Sequence, residues 1–180
     1  IMLIETILRL KVLTFEYFDR WVRYKDIIFG SVGRLLKLCL AQKNLKSLKF
    51  SAIILIIIWS VKLFEIVFDY DFTEYGVLPR KFNGLIGILF SPLIHSDVNH
   101  LLSNSLPVII LCLLIFNFYS QIAKKIFIYL YFISGLWLWC IGRESFHIGA
   151  SGLIYAMASF LFFSGVLRKN SQLSAVALLV

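Results

Sequence analysis

Four long apolar stretches, separated by short polar segments, fill the chain from residue 50 onward. They cover residues 50–68, 98–123, 126–142 and 145–167. A helix rises about 1.5 Å per residue, so about 20 apolar residues cross a hydrocarbon core of about 30 Å. A fifth run, residues 171–180, covers about half of that distance. The pattern predicts an all-α, polytopic membrane helix bundle with four complete spans and the start of a fifth.

The composition favours a membrane protein over a soluble one. Hydrophobic residue types make up 60% of the chain and charged types 16%, with a mean hydropathy of +0.87. Soluble domains average about 45–50% apolar and about 25% charged residues. The 17 Phe, 8 Tyr and 4 Trp also exclude a disordered chain, which carries far less apolar surface.

The charged residues lie mainly between the apolar stretches, and their sign differs from one connection to the next. Lys and Arg dominate before the first span, between the second and third, and after the fourth, whereas the other two connections are acidic or mixed. By the positive-inside rule, this places the N-terminus in the cytoplasm. We therefore expect a multi-pass protein of a bacterial cell membrane, in contact with the lipid bilayer. The basic loops account for most of the net charge of +8, so we expect no nucleic-acid partner. Two charges inside the first span, Lys62 and Glu65, are expected to reach towards water.

Residues 1–49 are predicted to form a separate cytoplasmic segment. They contain ten Lys and Arg against four Asp and Glu, with charges at helical spacing among apolar neighbours. Two interpretations stay open, namely a basic amphipathic helix on the inner leaflet and a cytoplasmic helix packed beneath the membrane domain. Residues 50–180 are predicted to form the transmembrane domain.

Polar residues with catalytic potential cluster near the predicted outer ends of the spans. All three histidines of the chain, His95, His100 and His147, fall there. His100 and Asn104 are four residues apart, so they share one face of the second span. Exposure of either polar side chain to lipid would cost free energy, so we expect both to point inward. Alternatively, His100 and Asn104 only join helices by hydrogen bonds, and His95 is only an interfacial loop residue.

A Gly-Ala-Ser-Gly run, residues 149–152, stands at the outer end of the fourth span. Gly149 and Gly152 let another part of the chain approach closely, and a helix N-terminus offers backbone amides to an anion. Such amides, with the Asn104 amide and an imidazole, would form a set of donors for the oxyanion of a tetrahedral intermediate. Ser151 is therefore a candidate nucleophile. The plain structural interpretation is that these small residues only permit tight helix packing.

Two motifs resemble those of the rhomboid family of intramembrane serine proteases. The stretch HSDVNHLLSN places His95, His100 and Asn104 in the family's His-x4-His-x3-Asn arrangement on the second helix, and GASG places Ser151 on the fourth. The resemblance extends over residues 50–180, which would form a partial rhomboid-like transmembrane domain. It implies a Ser/His dyad that cleaves transmembrane protein substrates within the bilayer, without metal or cofactor.

The resemblance also implies a role for each motif residue. Ser151 would be the nucleophile, and His100 and Asn104, with the Ser151 amide, would donate hydrogen bonds to the oxyanion. Gly149 would belong to the same oxyanion site, and His95 would shape the water-accessible cavity.

The general base that the resemblance implies is not found in the sequence. In the family it is a histidine on the sixth helix, whereas this sequence stops within the fifth. We expect a longer parent protein to supply that histidine, and we expect the 180 residues alone to be inactive. His147, four residues before Ser151, is a substitute in principle. The intervening residues are predicted to turn the chain, however, and His147 is expected to cap or pair with Arg143.

Two other classes of function stay open. A non-catalytic rhomboid-like protein would bind transmembrane clients with the same fold. A fragment of a transporter or channel would carry intramembrane charges or paired broken helices, and the second to fourth predicted spans contain no Asp, Glu, Lys or Arg. The sequence leaves substrate identity and oligomeric state open.

Overall fold

The structure is a computed structural model that describes residues 45–170, 173, 174 and 177. Helix α1 is Leu45–Phe68, and the short helix α2 is Gly87–Phe90; three longer helices follow, α3 (Val98–Phe118), α4 (Ala123–Ile141) and α5 (Ser151–Leu167). Short 3-10 helices, Thr73–Tyr75, Phe82–Ile86 and Ser91–Leu93, complete the connection between α1 and α3. The predicted all-α bundle is confirmed. The proposed segment 1–49 lies outside the described residues as far as residue 44.

Three of these helices, α1, α3 and α4, are long and apolar enough to cross a membrane. Helix α5 has 17 residues, or about 25 Å at helical rise, and it begins at Ser151 rather than at residue 145 as predicted. The difference arises because His147 pairs with Val77 through two backbone hydrogen bonds of 2.8 and 2.9 Å. Of the predicted fifth segment, the structure describes Leu173, Ser174 and Ala177, all helical.

Helix α3 is the central helix of the described bundle. Its residues 111–116 are all buried, so neighbouring helices cover it on every side at this level. The Phe50 ring of α1 lies 4.8 Å from the Phe116 ring and 5.0 Å from the Phe127 ring of α4. Helix α3 ends at Phe118 rather than at residue 123, because residues 119–122 form the turn into α4. Large apolar side chains on the outer faces of α1 and α4 stay exposed, as expected for surfaces in contact with lipid.

The connection between α1 and α3 folds over the end of α4. Arg80 Nη1 donates a hydrogen bond to the Gly142 carbonyl at 2.8 Å, and Trp139 Nε1 donates to the Lys81 carbonyl at 2.9 Å. Lys81 also forms an exposed ion pair with Glu144 at 3.1 Å. Together with the pairing of Val77 and His147, these contacts hold the segment before α3 beside the segment before α5.

Lys62 and Glu65 turn into the protein, and the prediction that they reach towards water was wrong. The Lys62 ammonium lies 3.0 Å from Glu65 Oε2 and donates to the carbonyls of His95 at 2.9 Å and Ser96 at 3.0 Å. Glu65 Oε1 accepts a hydrogen bond from the Phe72 amide at 3.1 Å, and the Glu65 side chain is 6% exposed. A buried charge needs polar partners, and a bare helix end has none to offer. Here the loop that returns over α1 supplies backbone carbonyls for the Lys62 ammonium.

Candidate active site

The first turn of α3 fixes the His100 ring. Asp97 is the N-cap residue of this helix, and its Oδ1 accepts a hydrogen bond from the His100 amide at 2.8 Å. This bond, together with the Ser96 hydroxyl, lowers the pKa of the Asp97 carboxyl. The Ser96 hydroxyl donates to Asp97 Oδ2 at 2.7 Å and lies 3.2 Å from His100 Nδ1. The backbone and the ring of His100 therefore both contact the capping segment.

His95 links the start of α3 to the start of α5. Its side chain is 1% exposed, and its ring centroid lies 5.1 Å from that of His100. Its Nε2 accepts a hydrogen bond from the Ala150 amide at 3.3 Å, so in the neutral ring Nδ1 carries the proton. Burial, and secondarily the neighbouring His100, lower the pKa of His95 from 6.5 to about 4, so the ring is neutral at physiological pH. His95 thus acts as a buried hydrogen-bond acceptor for the turn before Ser151.

Gly149 brings this turn against the His100 ring. Its φ of +107° is a conformation that L side chains rarely adopt, and its amide donates to the Ser91 carbonyl at 2.8 Å. A Cβ atom at this position would stand 2.8 Å from His100 Cε1 and 3.1 Å from Nε2. The close approach predicted for Gly149 is therefore present. Apart from its chain neighbours and the nearby backbone of α5, no described atom lies within 4 Å of a Cβ built at Gly152, so the same expectation for Gly152 is not met within the described residues.

Ser151 is the first residue of α5 and is half-buried. The amides of its first turn have no acceptor within the helix, as at any helix N-terminus. Among the described residues the Ser151 hydroxyl makes no hydrogen bond. It stands in the wall of a cavity of about 240 Å³ between α4 and α5, whose lining also includes Ser91, Ser134, Leu138 and Tyr155.

Asn104 lies one turn beyond His100 on α3 and is buried, 8% exposed. Its Nδ2 has no hydrogen-bond partner among the described residues. Neither His100 nor Asn104 lines the cavity beside Ser151, and neither bonds to the Ser151 hydroxyl within the part of the chain described. The structure thus brings His95, His100 and the 149–150 backbone into direct contact. The Asn104 Nδ2 and the Ser151 hydroxyl, by contrast, have no hydrogen-bond partner among the described residues.

His147 occupies a different position from the motif histidines. Its Nε2 donates to the Arg143 carbonyl at 3.0 Å, and its backbone pairs with Val77, in keeping with the capping role expected for it. The turn predicted between His147 and Ser151 is present at Gly149. His147 lines the same 240 Å³ cavity as Ser151. Its own hydrogen bonds hold it to the loop, and no bond joins it to Ser151 among the described residues.

Sequence reasoning missed three residues that hold this arrangement. Asp97 and Ser96 contact His100 directly, and Lys62 bonds to the backbone of the same segment. The sequence could have indicated the N-cap role of Asp97, because an Asp directly before an apolar helix is a typical N-cap residue. The contact of Lys62 spans 34 residues and carried no such signal.

Comparison with known proteins identifies a family for this chain. The sequence matches the Rhomboid domain family over residues 83–180. It is 30% identical over 115 residues to an uncharacterized protein of Mycobacterium tuberculosis (strain ATCC 25618 / H37Rv) and to one of Mycobacterium bovis, covering 58% of this chain and 46% of theirs. An uncharacterized protein of Mycobacterium leprae is 28% identical over 124 residues, covering 63% of this chain and 48% of that protein. The chain therefore spans about half the length of these curated relatives, and no solved structure matches it. Because the family match covers more than half of the chain, and its range includes His95, His100 and Ser151, the chain belongs to the rhomboid family.

Proposed function

We propose that this chain is part of an intramembrane serine endopeptidase that cleaves transmembrane protein substrates, with Ser151 as its nucleophile. One observation carries the proposal: the His100 ring packs directly on Gly149, two residues before Ser151 at the N-terminus of α5. This contact gathers an imidazole, a serine and free helical amides at one end of the bundle. Membership of the rhomboid family supports the same chemistry.

In the proposed reaction, Ser151 Oγ forms a bond to the scissile carbonyl carbon, and the hydroxyl proton passes to a general base. The carbonyl oxygen becomes an oxyanion, which accepts hydrogen bonds from the Ser151 amide, Asn104 Nδ2 and the His100 ring. Removal of one such donor typically costs about 10²–10³-fold in kcat. Asn104 Nδ2 suits this task because its hydrogens are not used within the described structure. The tetrahedral intermediate then collapses with cleavage of the scissile C–N bond, the proton is delivered to the leaving amine, and water hydrolyses the acyl enzyme.

The general base is proposed to lie outside the 180 residues. The described structure leaves the Ser151 hydroxyl without a histidine partner, and His147 is held by Arg143. The resemblance assigns the base to a histidine on a sixth helix. His95 is proposed as the residue that shapes the cavity, through its bond to Ala150.

A second candidate function is a non-catalytic rhomboid-like protein that binds transmembrane clients. The observation that favours it is the same unpartnered Ser151 hydroxyl, because a client-binding protein requires no base. The two proposals differ in whether the protein forms a covalent bond through Ser151.

A fluorophosphonate probe distinguishes the two functions. The full-length gene product, purified in lipid nanodiscs, is treated with the probe and, separately, with a transmembrane model substrate. We expect labelling and cleavage that Ser151→Ala abolishes. Ser159→Ala, which removes an exposed serine of the same helix, serves as the matched control and is expected to keep both. The 180-residue chain alone is expected to show neither. Binding of the substrate without cleavage or Ser151-dependent labelling would refute the protease and support the client-binding protein.

A further inference from the structure

The hydroxyl of Ser96 lies between two groups that compete for its single proton. Its oxygen is 2.7 Å from Asp97 Oδ2 and 3.2 Å from His100 Nδ1. An ionised carboxylate only accepts hydrogen bonds, and a hydroxyl has one proton to donate. Asp97 is ionised at neutral pH, since the His100 amide and the Ser96 hydroxyl both lower the pKa of its carboxyl. The Ser96 proton is therefore committed to Asp97.

The direction of the Ser96 proton determines which nitrogen of the neutral His100 ring carries hydrogen. With its proton on the Asp97 side, the Ser96 oxygen can only accept from the ring, so Nδ1 must be the nitrogen that carries hydrogen. The other ring nitrogen, Nε2, then bears the lone pair. It lies on the edge of the ring that faces Gly149, 3.1 Å from the position of a Cβ atom there.

The segment that carries Ser96 and Asp97 is itself held from two sides. Asp97 Oδ1 caps α3 through the His100 amide at 2.8 Å, and Lys62 donates to the Ser96 carbonyl at 3.0 Å. The hydroxyl therefore has a defined position relative to the ring, although both residues are exposed. An exposed pair with this geometry has no role in filling the core.

We propose that Ser96 and Asp97 are positioning residues that hold the His100 ring with Nδ1 protonated and Nε2 turned to Gly149. The consequence for catalysis rests on the proposed function of His100 as an oxyanion donor. In this form Nε2 donates to an oxyanion only after the ring takes up a second proton. The adjacent His95 ring stays neutral.

The protonation is read directly by ¹⁵N NMR of the full-length protein, labelled at histidine, in lipid nanodiscs at alkaline pH. His100→Gln assigns the signals. We expect Nδ1 of His100 to resonate as a protonated nitrogen and Nε2 as an unprotonated one. Ser96→Ala should remove this preference, and Ser96→Thr, which keeps the hydroxyl, should retain it. Ser103→Ala is the matched control, because that hydroxyl bonds to the His100 carbonyl at 2.8 Å and not to the ring. An Nε2-protonated ring in the unmodified protein would overturn the proposal.

A double-mutant cycle tests the consequence for catalysis with the same proteins. We expect Ser96→Ala to lower kcat by up to about 10²-fold with little change in KM, because the His100 ring then loses its fixed position and a misplacement of about 1 Å has this order of effect. In a His100→Ala background, Ser96→Ala should cost nothing further, since it acts through the ring. An equal loss in both backgrounds would show a merely structural role and overturn the positioning role, with the protease unaffected. Absence of Ser151-dependent turnover in the unmodified protein would instead overturn the proposed function, and the NMR result would still decide the protonation.

Discussion

Replacement of Gly149 by alanine tests the contact between the turn before α5 and the His100 ring. The φ of +107° strains any L side chain, at a cost of about 1–3 kcal/mol. The new methyl carbon would stand 2.8 Å from His100 Cε1, so the ring must also move. That movement disturbs its contacts with Ser96 at 3.2 Å and with the His95 ring at 5.1 Å, which adds about 1–3 kcal/mol as overpacking does elsewhere. We expect Gly149→Ala to destabilise the protein by about 2–6 kcal/mol.

The chain offers both an internal control and an internal probe. Gly152→Ala meets no described atom within 4 Å and replaces glycine by alanine in a helix, so it should be neutral or stabilising by up to about 1 kcal/mol. Cys112 is buried and Cys140 exposed. In a background with Cys39→Ser and Cys140→Ser, a thiol-reactive dye therefore reports unfolding through Cys112. Thermal scans of the two variants should shift in opposite directions or, at least, by amounts that differ by several degrees.

Two outcomes would contradict these expectations for Gly149 and Gly152. One is a free energy of unfolding for Gly149→Ala within about 0.5 kcal/mol of that of the unmodified protein. In that case either the turn does not need its left-handed conformation or His100 does not pack against it. If Gly152→Ala loses as much stability as Gly149→Ala, the distinction between a contacted and an open glycine is wrong. The first outcome would remove the observation on which the proposed function stands.

Three further changes test neighbouring parts of the structure. Lys62→Met leaves Glu65 buried without its ion-pair partner and should lower the free energy of unfolding by about 3–5 kcal/mol in the same dye assay. Lys125→Met, at an exposed lysine, should change it by less than about 0.5 kcal/mol, and equal effects would show that the buried pair contributes nothing. Unfolded His95 binds a proton near pH 6.5 and the folded ring only near pH 4, so stability should fall as the pH drops from 6.5 towards 4, and His95→Gln should flatten that part of the profile; an unchanged slope would contradict the buried neutral ring. Asn104→Leu should lower kcat about 10²–10³-fold without loss of stability, because its Nδ2 has no hydrogen bond to lose; full activity in a cleavage assay would exclude Asn104 from the oxyanion site.

The helices and the shared face of His100 and Asn104 were accessible from the sequence because both depend on local spacing. Long apolar runs predict helices of known length, and four-residue spacing places two side chains on one side of a helix. Helix ends were less predictable, as α5 shows. Hydropathy extended it back to residue 145, but the pairing of His147 with Val77, 70 residues earlier, keeps those residues out of the helix.

Local pattern alone thus determined that this protein is a membrane helix bundle with its polar motif residues at one end of the spans. Only the tertiary structure decided which of those residues touch: His95 bonds to Ala150 across 55 positions, His100 rests on Gly149, and Lys62 turns inward to carbonyls more than 30 residues away. The physical reason is that side-chain periodicity is a property of a single helix. The direction of a buried charge or imidazole depends instead on which distant backbone groups the packed loops bring within hydrogen-bonding distance.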